Sequence, residues 1–196
     1  MSAPRSIHYA TVLCILWYIK GTLFHGVHFS AQSSLELRAY ADADWAGDPT
    51  NRHSTTDYCF LLGSSLILWR SKKQSVVARS NTEAEYRALT DATSKLLWLC
   101  WLLIDMGVPQ TTSTPIYYDN RTAIHIAHND DFHEHTKHIE IDCHFIRHHF
   151  QQSALHLLFV SSEDQLADVF TKSNPPGRLR NLVSKFKMAS SSPPCV

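Results

Sequence analysis

The longest helical pattern in the sequence runs from about Asn81 to Met106, and it constrains the fold more than any other feature. Its apolar residues recur at three- and four-residue spacing, which is typical of an amphipathic helix packed on a core. Gly107 supplies the stop that commonly follows a helix. Carboxylates occupy the first turns, and Glu85 stands about one turn inside the helix. The segments on either side of this helix must therefore provide the surface that it covers.

Three strands are predicted before the long helix. Residues Leu35 to Asp42 alternate apolar and polar side chains, which is the pattern of a half-buried strand. Two further apolar runs, Asp57 to Leu62 and Leu66 to Arg70, are separated by Gly63-Ser64-Ser65, a typical hairpin turn. Together these segments predict a three-stranded antiparallel meander.

Strands and helices continue to alternate after the long helix. Strands are predicted over residues 115–119 and 154–160, with two helices between them, one after Asn120 and one over about 138–151. A last helix is predicted over 163–171. The order is therefore β-β-β-α-β-α-α-β-α, which predicts an α/β fold: a five-stranded mixed sheet flanked by helices.

The two ends of the chain lie outside this pattern. A helix over residues 7–20 precedes the meander, so we treat residues 1–30 as an N-terminal appendage to a main domain at 35–173. The remainder, 174–196, is predicted to form a short basic helix followed by a disordered Ser- and Pro-rich tail.

Composition gives three indications about the class of protein. Lys and Arg number 18 and Asp and Glu also number 18, so no global basic field indicates a nucleic-acid binder. The five cysteines are scattered, which favours a reducing, intracellular location over a secreted disulfide framework. No apolar run reaches the roughly 20 residues of a membrane-spanning helix, so we expect no membrane association.

Four carboxylates are candidates for a shared site. Asp42 and Asp119 end predicted strands, Glu85 lies near the start of the long helix, and Asp168 lies on the last helix. Carboxylates at such positions repel one another unless a cation joins them. An all-oxygen ligand set favours Mg²⁺ or Mn²⁺, and two such ions can promote phosphodiester cleavage.

Each carboxylate also has a purely structural interpretation, and spacing alone does not decide between the two. Asp42 could begin a turn with Asp44, and Asp119 with Asn120 could cap a helix. Thr82 and Glu85 could form a capping box at the start of the long helix. Asp164 and Asp168 lie one turn apart and could form a solvated helix face.

Several motifs together resemble one family. They occur in the same order over about residues 35–187, and they are Tyr40 to Asp48, Ser71 to Gln74, Thr82 to Leu89, Asp119-Asn120, Thr136 to Phe145 and Glu163 to Lys172. This set resembles the ribonuclease H domain of copia-type LTR retrotransposon Pol polyproteins. The segment Tyr18 to Leu23 resembles the end of the reverse transcriptase region that precedes that domain.

The resemblance implies a ribonuclease H-like fold and cleavage of the RNA strand of an RNA·DNA hybrid with two Mg²⁺ ions, or Mn²⁺ in their place. It implies that Asp42 bridges both metals, that Glu85 and Asp119 complete one metal site, and that Asp168 completes the other. It implies no further cofactor. The reverse transcriptase domain of the parent polyprotein is the implied protein partner, and the oligomeric state is not predicted.

Hybrid contacts are expected from basic side chains near the carboxylates, because hybrids are recognised through phosphates and 2′-hydroxyls. The candidates are Arg70, Lys72, Lys73, Arg79, Lys137 and His138, although an ordinary solvated surface explains them equally well. Ser161 to Leu166 contains no histidine, so we assign no catalytic histidine. The alternative function is a catalytically unused remnant that folds and binds nucleic acid without turnover.

Overall fold

The computed structural model describes residues 3, 5–23, 25–128 and 139–190. It confirms the predicted α/β fold with a five-stranded mixed sheet. In chain order, the elements are α1 (Ser6–Thr22), β1 (His25–Gly26), β2 (Leu37–Asp44), β3 (Thr55–Leu62), β4 (Ser65–Lys73), α2 (Asn81–Asp105), β5 (Thr114–Tyr118), α3 (Arg121–His128), α4 (Glu140–Gln151), β6 (Leu155–Phe159), two short 3₁₀ helices (Ser162–Asp164 and Leu166–Phe170), α5 (Pro176–Lys185) and β7 (Ala189–Ser190).

The sheet places β2 at its centre. The strand order is β4-β3-β2-β5-β6, and β2 runs antiparallel to β3 but parallel to β5. β5 and β6 are also parallel. The carboxyl ends of β2, β5 and β6 therefore lie at the same edge of the sheet, where functional groups collect in many α/β proteins. A separate two-stranded pair joins β1 to β7.

The β3–β4 hairpin depends on glycine at one position. Gly63 has φ of 58°, a left-handed conformation that favours glycine. A Cβ at this residue would lie 2.1 Å from the carbonyl oxygen of Ser34. The Gly63 amide instead donates to the carbonyl of Glu36 at 2.8 Å, which fixes the turn against the start of β2.

The ends of α2 are both satisfied by local contacts. At the N-terminus, the Ser80 hydroxyl accepts a hydrogen bond from the Glu83 amide at 3.1 Å, and the Glu83 carboxylate accepts from the Arg79 amide at 2.7 Å. At the C-terminus, Gly107 has φ of 77° and donates to Ile104. Ser80 rather than Thr82 is therefore the N-cap, and Glu85 is not part of a capping box.

Helices α2, α3 and α4 cover one face of the sheet. Leu37 and Ala39 of β2 and Phe60 of β3 pack there against α2, and all three are buried. The Tyr86 hydroxyl donates to the Ala123 carbonyl at 2.9 Å, which ties α2 to α3. This arrangement buries the apolar stripe that made the long helix predictable from the sequence.

The opposite face is covered by the C-terminal part of the chain. Cys59 and Leu61 of β3 face this side, because successive side chains of a strand alternate. They pack with Leu166 of the second 3₁₀ helix and with Leu182 and Phe186 of the α5 segment. Both faces of the central strands are therefore buried, which the alternating pattern of β2 did not indicate.

Two local predictions differ from the structure, and the N-terminal helix lies apart from the core. The predicted helix over 163–171 consists of the two 3₁₀ helices, whose tighter turns are common in short connectors. Strand β2 extends to Asp44 rather than ending at Asp42. Helix α1 contains no buried residue, so its apolar side chains contact no core within the described residues. No helix in the described ranges is sufficiently long and apolar to cross a membrane.

Candidate metal centre

Asp42 and Asp57 lie opposite each other on neighbouring strands. They are paired in the antiparallel β2–β3 register, and their relative exposures are 1% and 0%. The Thr171 hydroxyl donates to Oδ2 of Asp57 at 2.8 Å. Oδ1 of Asp57 is buried and has no hydrogen-bond partner in the part of the chain that the structure describes. The pair thus places a second carboxylate beside the predicted site residue Asp42.

Asp168 joins this pair from the second 3₁₀ helix. Its side chain is 1% exposed, and the segment that carries it is anchored by Gln165, whose Nε2 donates to the Ala41 carbonyl at 2.9 Å. Carboxylate oxygens of Asp42, Asp57 and Asp168 all lie within 4.8 Å of one another. This acidic triad has the all-oxygen donor set that suits a hard divalent cation.

Glu85 and Asp119 lie beside the triad and are held by hydroxyl groups. The Tyr118 hydroxyl, at the end of β5, lies 2.5 Å from Oε2 of Glu85 and 2.7 Å from its carbonyl oxygen. The Ser162 hydroxyl donates to Oδ2 of Asp119 at 2.7 Å. Glu85 and Asp119 line an open cavity of about 390 Å³. Two of the four predicted residues thus belong to the triad and two line the adjoining cavity.

Two cationic side chains contact the triad directly. The Lys172 Nζ lies 2.5 Å from Oδ2 of Asp42 and 2.8 Å from Oδ1 of Asp168. The Arg178 guanidinium pairs with Oδ2 of Asp168 and also donates to the carbonyl of Ser162. Both carboxylate oxygens of Asp168 are therefore engaged by cations.

Burial dominates the electrostatics of the site. Desolvation raises the pKa of Asp57 to about 8, although the Thr171 hydrogen bond and the Lys172 charge oppose the shift. Desolvation also raises the pKa of Asp42 well above its usual range, and the nearby Glu85 charge adds to this effect. The pKa of Glu85 is raised by desolvation and by Asp119, against the hydrogen bond from Tyr118. Buried carboxylates in mutual contact are the arrangement that a bound cation stabilises.

The structural interpretations of these carboxylates do not match their contacts. The Asn120 side chain caps α3 by accepting from the Ala123 amide at 3.0 Å, whereas Asp119 pairs with Ser162. Asp168 is buried, while Asp164 is exposed and pairs with Lys185. The catalytic and metal-binding roles of the predicted residues stay predictions.

Comparison with known proteins gives two relatives that match nearly the whole chain. The "Retrovirus-related Pol polyprotein from transposon RE1" of Arabidopsis thaliana is 43% identical over 186 residues, which cover 95% of this chain and 13% of that protein. The corresponding polyprotein from transposon RE2 of the same organism is 40% identical over 195 residues, or 100% of this chain and 13% of that protein. The chain belongs to the copia-type Pol polyprotein family. No family model matched the sequence.

Solved structures assign the fold of this Pol region. The N-terminal RNase H domain of rv2228c from Mycobacterium tuberculosis, solved as a fusion with maltose binding protein, gives a TM-score of 0.52 at 13% identity; the match covers 77% of this chain and 98% of that chain. LC11-RNase H1 in complex with RNA/DNA hybrid gives a TM-score of 0.51 at 14% identity, covering 69% and 93% of the two chains. The fold is therefore ribonuclease H-like.

The predicted nucleic-acid-binding residues are partly gathered in one cleft. Arg70, Lys72 and Lys73 line a cavity of about 400 Å³ that also includes Thr56, the neighbour of Asp57 in β3. The Arg79 side chain does not line this cleft within the described residues. The remaining predicted contacts, Lys137 and His138, lie outside the described residues.

The sequence analysis missed several residues that contact the acidic triad or belong to it. Asp57 could have been found, because it stands at one end of a predicted strand, and a position at a strand end is the reason for which Asp42 was selected. Lys172 lay within a quoted family motif but was given no role. Arg178 belongs to the predicted short basic helix and was not placed in the site, and nothing local in the sequence indicates its contact with Asp168.

Proposed function

We propose that this chain is a divalent-metal-dependent endoribonuclease of the ribonuclease H type that cleaves the RNA strand of RNA·DNA hybrids. The observation that carries this proposal is the buried triad of Asp42, Asp57 and Asp168, whose oxygens lie within 4.8 Å of one another at the edge of a ribonuclease H-like sheet. The hybrid bound to the neighbour LC11-RNase H1 supports the same substrate class.

The donor set fits Mg²⁺ or Mn²⁺. All candidate ligands are carboxylates, and the unpartnered Oδ1 of Asp57 is a buried acceptor beside two others. We infer that Asp42, Glu85, Asp119 and Asp168 hold the metals, with Asp57 next to Asp42. Two bound ions would supply an activated water and stabilise the leaving oxygen, which is the chemistry of two-metal phosphodiester hydrolysis.

The protein's own side chains set the geometry of these carboxylates. Tyr118 orients Glu85, and Ser162 orients Asp119, in each case through one hydroxyl hydrogen bond. Thr171 holds one oxygen of Asp57 and leaves the other free. The cleft lined by Arg70, Lys72 and Lys73, which Asp91 and Asp142 also line, is the candidate surface for the phosphates of a bound duplex.

The test is cleavage of a labelled RNA·DNA hybrid by the purified full-length chain with Mg²⁺. We expect cuts in the RNA strand, none in single-stranded RNA, and loss of activity in Asp119→Asn. Glu163→Gln, which changes an exposed carboxylate, is the matched control and should cleave like the unmodified chain. Cleavage that persists in Asp119→Asn would contradict the proposal.

A second candidate function is hybrid binding without turnover. The observation that favours it is the pairing of both Asp168 oxygens with Lys172 and Arg178, which neutralises a predicted metal ligand. This alternative predicts hybrid binding that weakens steeply with salt, no cleavage at any Mg²⁺ concentration, and equal binding by Asp119→Asn.

We also propose that residues 1–30 are the end of a reverse transcriptase region, with the parent polymerase as their partner. Helix α1 exposes several large apolar side chains and buries none, which is the surface expected of a segment that packs on another domain. Its most exposed members include Ile7, Tyr9, Trp17 and Tyr18. The remaining boundaries, 35–173 and 174–196, stay proposals, as does an intracellular location.

A further inference from the structure

Lys172 makes the contacts to Asp42 and Asp168 that a bound divalent cation would make. Its Nζ touches Oδ2 of Asp42 and Oδ1 of Asp168, at 2.5 and 2.8 Å. These are two of the three carboxylates whose oxygens converge within 4.8 Å. One positive group thus bridges the two aspartates that belong to different elements, β2 and the second 3₁₀ helix.

Each oxygen of the Asp168 carboxylate is in contact with one cationic side chain. Lys172 takes Oδ1 and Arg178 takes Oδ2. Of the two cations, Lys172 is the one shared with Asp42, so it is the one with which a metal joining both aspartates would compete. Arg178 also donates to the Ser162 carbonyl, an anchor that does not involve the triad oxygens.

The charges at the site are compatible with replacement of Lys172 by a divalent metal ion. Asp42, Asp57 and Asp168 are buried, as is the neighbouring Glu85, while Lys172 and Arg178 are the cations paired with the triad in the described residues. The Lys172 side chain is 34% exposed, so its long, flexible stem can move its ammonium into solvent. Arginine, with a planar guanidinium held at two acceptors, is less easily released.

We propose that Lys172 is an internal counter-ion that competes with divalent metal for Asp42 and Asp168 and is displaced when the metal binds. This inference rests on the proposed function, because it assigns those two aspartates to a metal. Lys172 is a positioning residue for the metal-free centre: it holds the two carboxylates together and sets how much metal is needed to replace it.

The first experiment compares Mn²⁺ binding to the full-length chain by isothermal titration calorimetry at pH 8. Lys172→Met keeps the length of the side chain and removes its charge, so we expect tighter binding. Mutating a group that supports metal ligands typically lowers affinity by roughly 10- to 100-fold, and we expect a change of that order in the opposite direction because a competing cation is removed. Lys172→Arg keeps the charge and should bind no tighter than the unmodified chain. Lys185→Met removes the comparable ion pair with exposed Asp164 and is the matched control, with unchanged affinity expected.

The same variants give a readout that does not depend on metal affinity. In EDTA, Lys172→Met should unfold at a lower temperature than the unmodified chain, because Asp42 loses its cationic partner in a buried site. With saturating Mn²⁺ this difference should shrink. Mn²⁺ binding by Lys172→Met that is no tighter than binding by the unmodified chain would overturn the inference and leave the proposed function standing. Absence of Mn²⁺ binding by the unmodified chain would overturn both.

A measurement on the unmodified sequence covers the case in which Lys172→Met does not fold. Reductive methylation with ¹³C-formaldehyde labels lysine amines and keeps their charge, and the Lys172 resonance is identified by its absence from Lys172→Arg. We expect that resonance to move toward the position of exposed lysines as Mg²⁺ is added. A Lys172 resonance that stays fixed while calorimetry shows the site filling would rule out displacement.

Discussion

Asp57 faces Asp42 across the β2–β3 ladder, so two fully buried carboxylates stand directly opposite each other on adjacent strands. Like charges at opposed positions of an antiparallel pair are destabilising. A chain that keeps such a pair either protonates one member or brings a cation to it. Lys172 is that cation for Asp42, whereas Oδ1 of Asp57 has no hydrogen-bond partner in the described ranges.

Replacing Asp57 with asparagine should stabilise the metal-free protein. Asparagine has the same shape and can still accept the Thr171 hydrogen bond, but it carries no charge. We expect the free energy of unfolding in EDTA at pH 8.5 to rise by about 1–3 kcal/mol, the scale of one unsatisfied buried group. Urea denaturation measures it, with Asp164→Asn, an exposed carboxylate, as the control. A less stable Asp57→Asn would show that Asp57 has a favourable partner.

The stability of the metal-free protein should depend on pH in the direction that a raised pKa dictates. The pKa of Asp57 is about 8 in the folded chain against an ordinary value of 3.8, so the folded state holds a proton that the unfolded state has lost. Stability from this group is complete below about pH 4 and declines as pH rises toward 8.

Asp57→Asn removes this contribution, together with the effect of the Asp57 charge on the pKa of Asp42. We expect the difference in unfolding free energy between the variant and the unmodified chain to grow from pH 5 to pH 8.5 in EDTA. Urea denaturation at several pH values measures that difference. A constant difference across the range would mean that Asp57 does not titrate there.

Removing the Tyr118 hydroxyl should impair the centre without touching a carboxylate. Tyr118→Phe leaves Glu85 without the donor that lies 2.5 Å from its Oε2. Residues that orient metal ligands typically contribute 10- to 100-fold to metal affinity or activity, and we expect a loss of about that size in hybrid cleavage. Tyr117→Phe alters the neighbouring tyrosine, which stacks on Tyr40, and serves as the control. Equal loss in both variants would indicate a general effect on β5.

Helix α5 should behave as part of the folded core despite its basic surface. Leu182 is fully buried against the face of the sheet that carries Cys59 and Leu61. Leu182→Ala should therefore cost about 2–5 kcal/mol of unfolding free energy, as buried leucine truncations do. Trp17→Ala, on exposed α1, should change stability by less than about 0.5 kcal/mol. Thermal or urea denaturation compares the two, and a small effect at Leu182 would mean that α5 is not needed for the fold.

The fold was predictable because its evidence is local. The amphipathic spacing of α2, the alternation in β2 and the glycine between β3 and β4 each report on residues a few positions apart, and the structure confirms all three elements. The connector around Asp168 was less predictable. Its 3₁₀ geometry depends on Gln165, whose side chain reaches the Ala41 carbonyl from a position 124 residues away.

The sequence by itself determined which residue types are available: carboxylates at strand and helix ends, in an order that resembles one family. Tertiary structure decided which of them meet. Asp42 and Asp57 are neighbours because of the β2–β3 register, and Lys172 reaches Asp42 because the C-terminal segment covers the second face of the sheet. Strand register and the packing of distant segments depend on the total apolar surface buried on both faces of the sheet, and no short stretch of sequence specifies that total. The helical pattern in the sequence identified Glu85 as a site residue, whereas Asp57 and Lys172 were identified only from the folded structure.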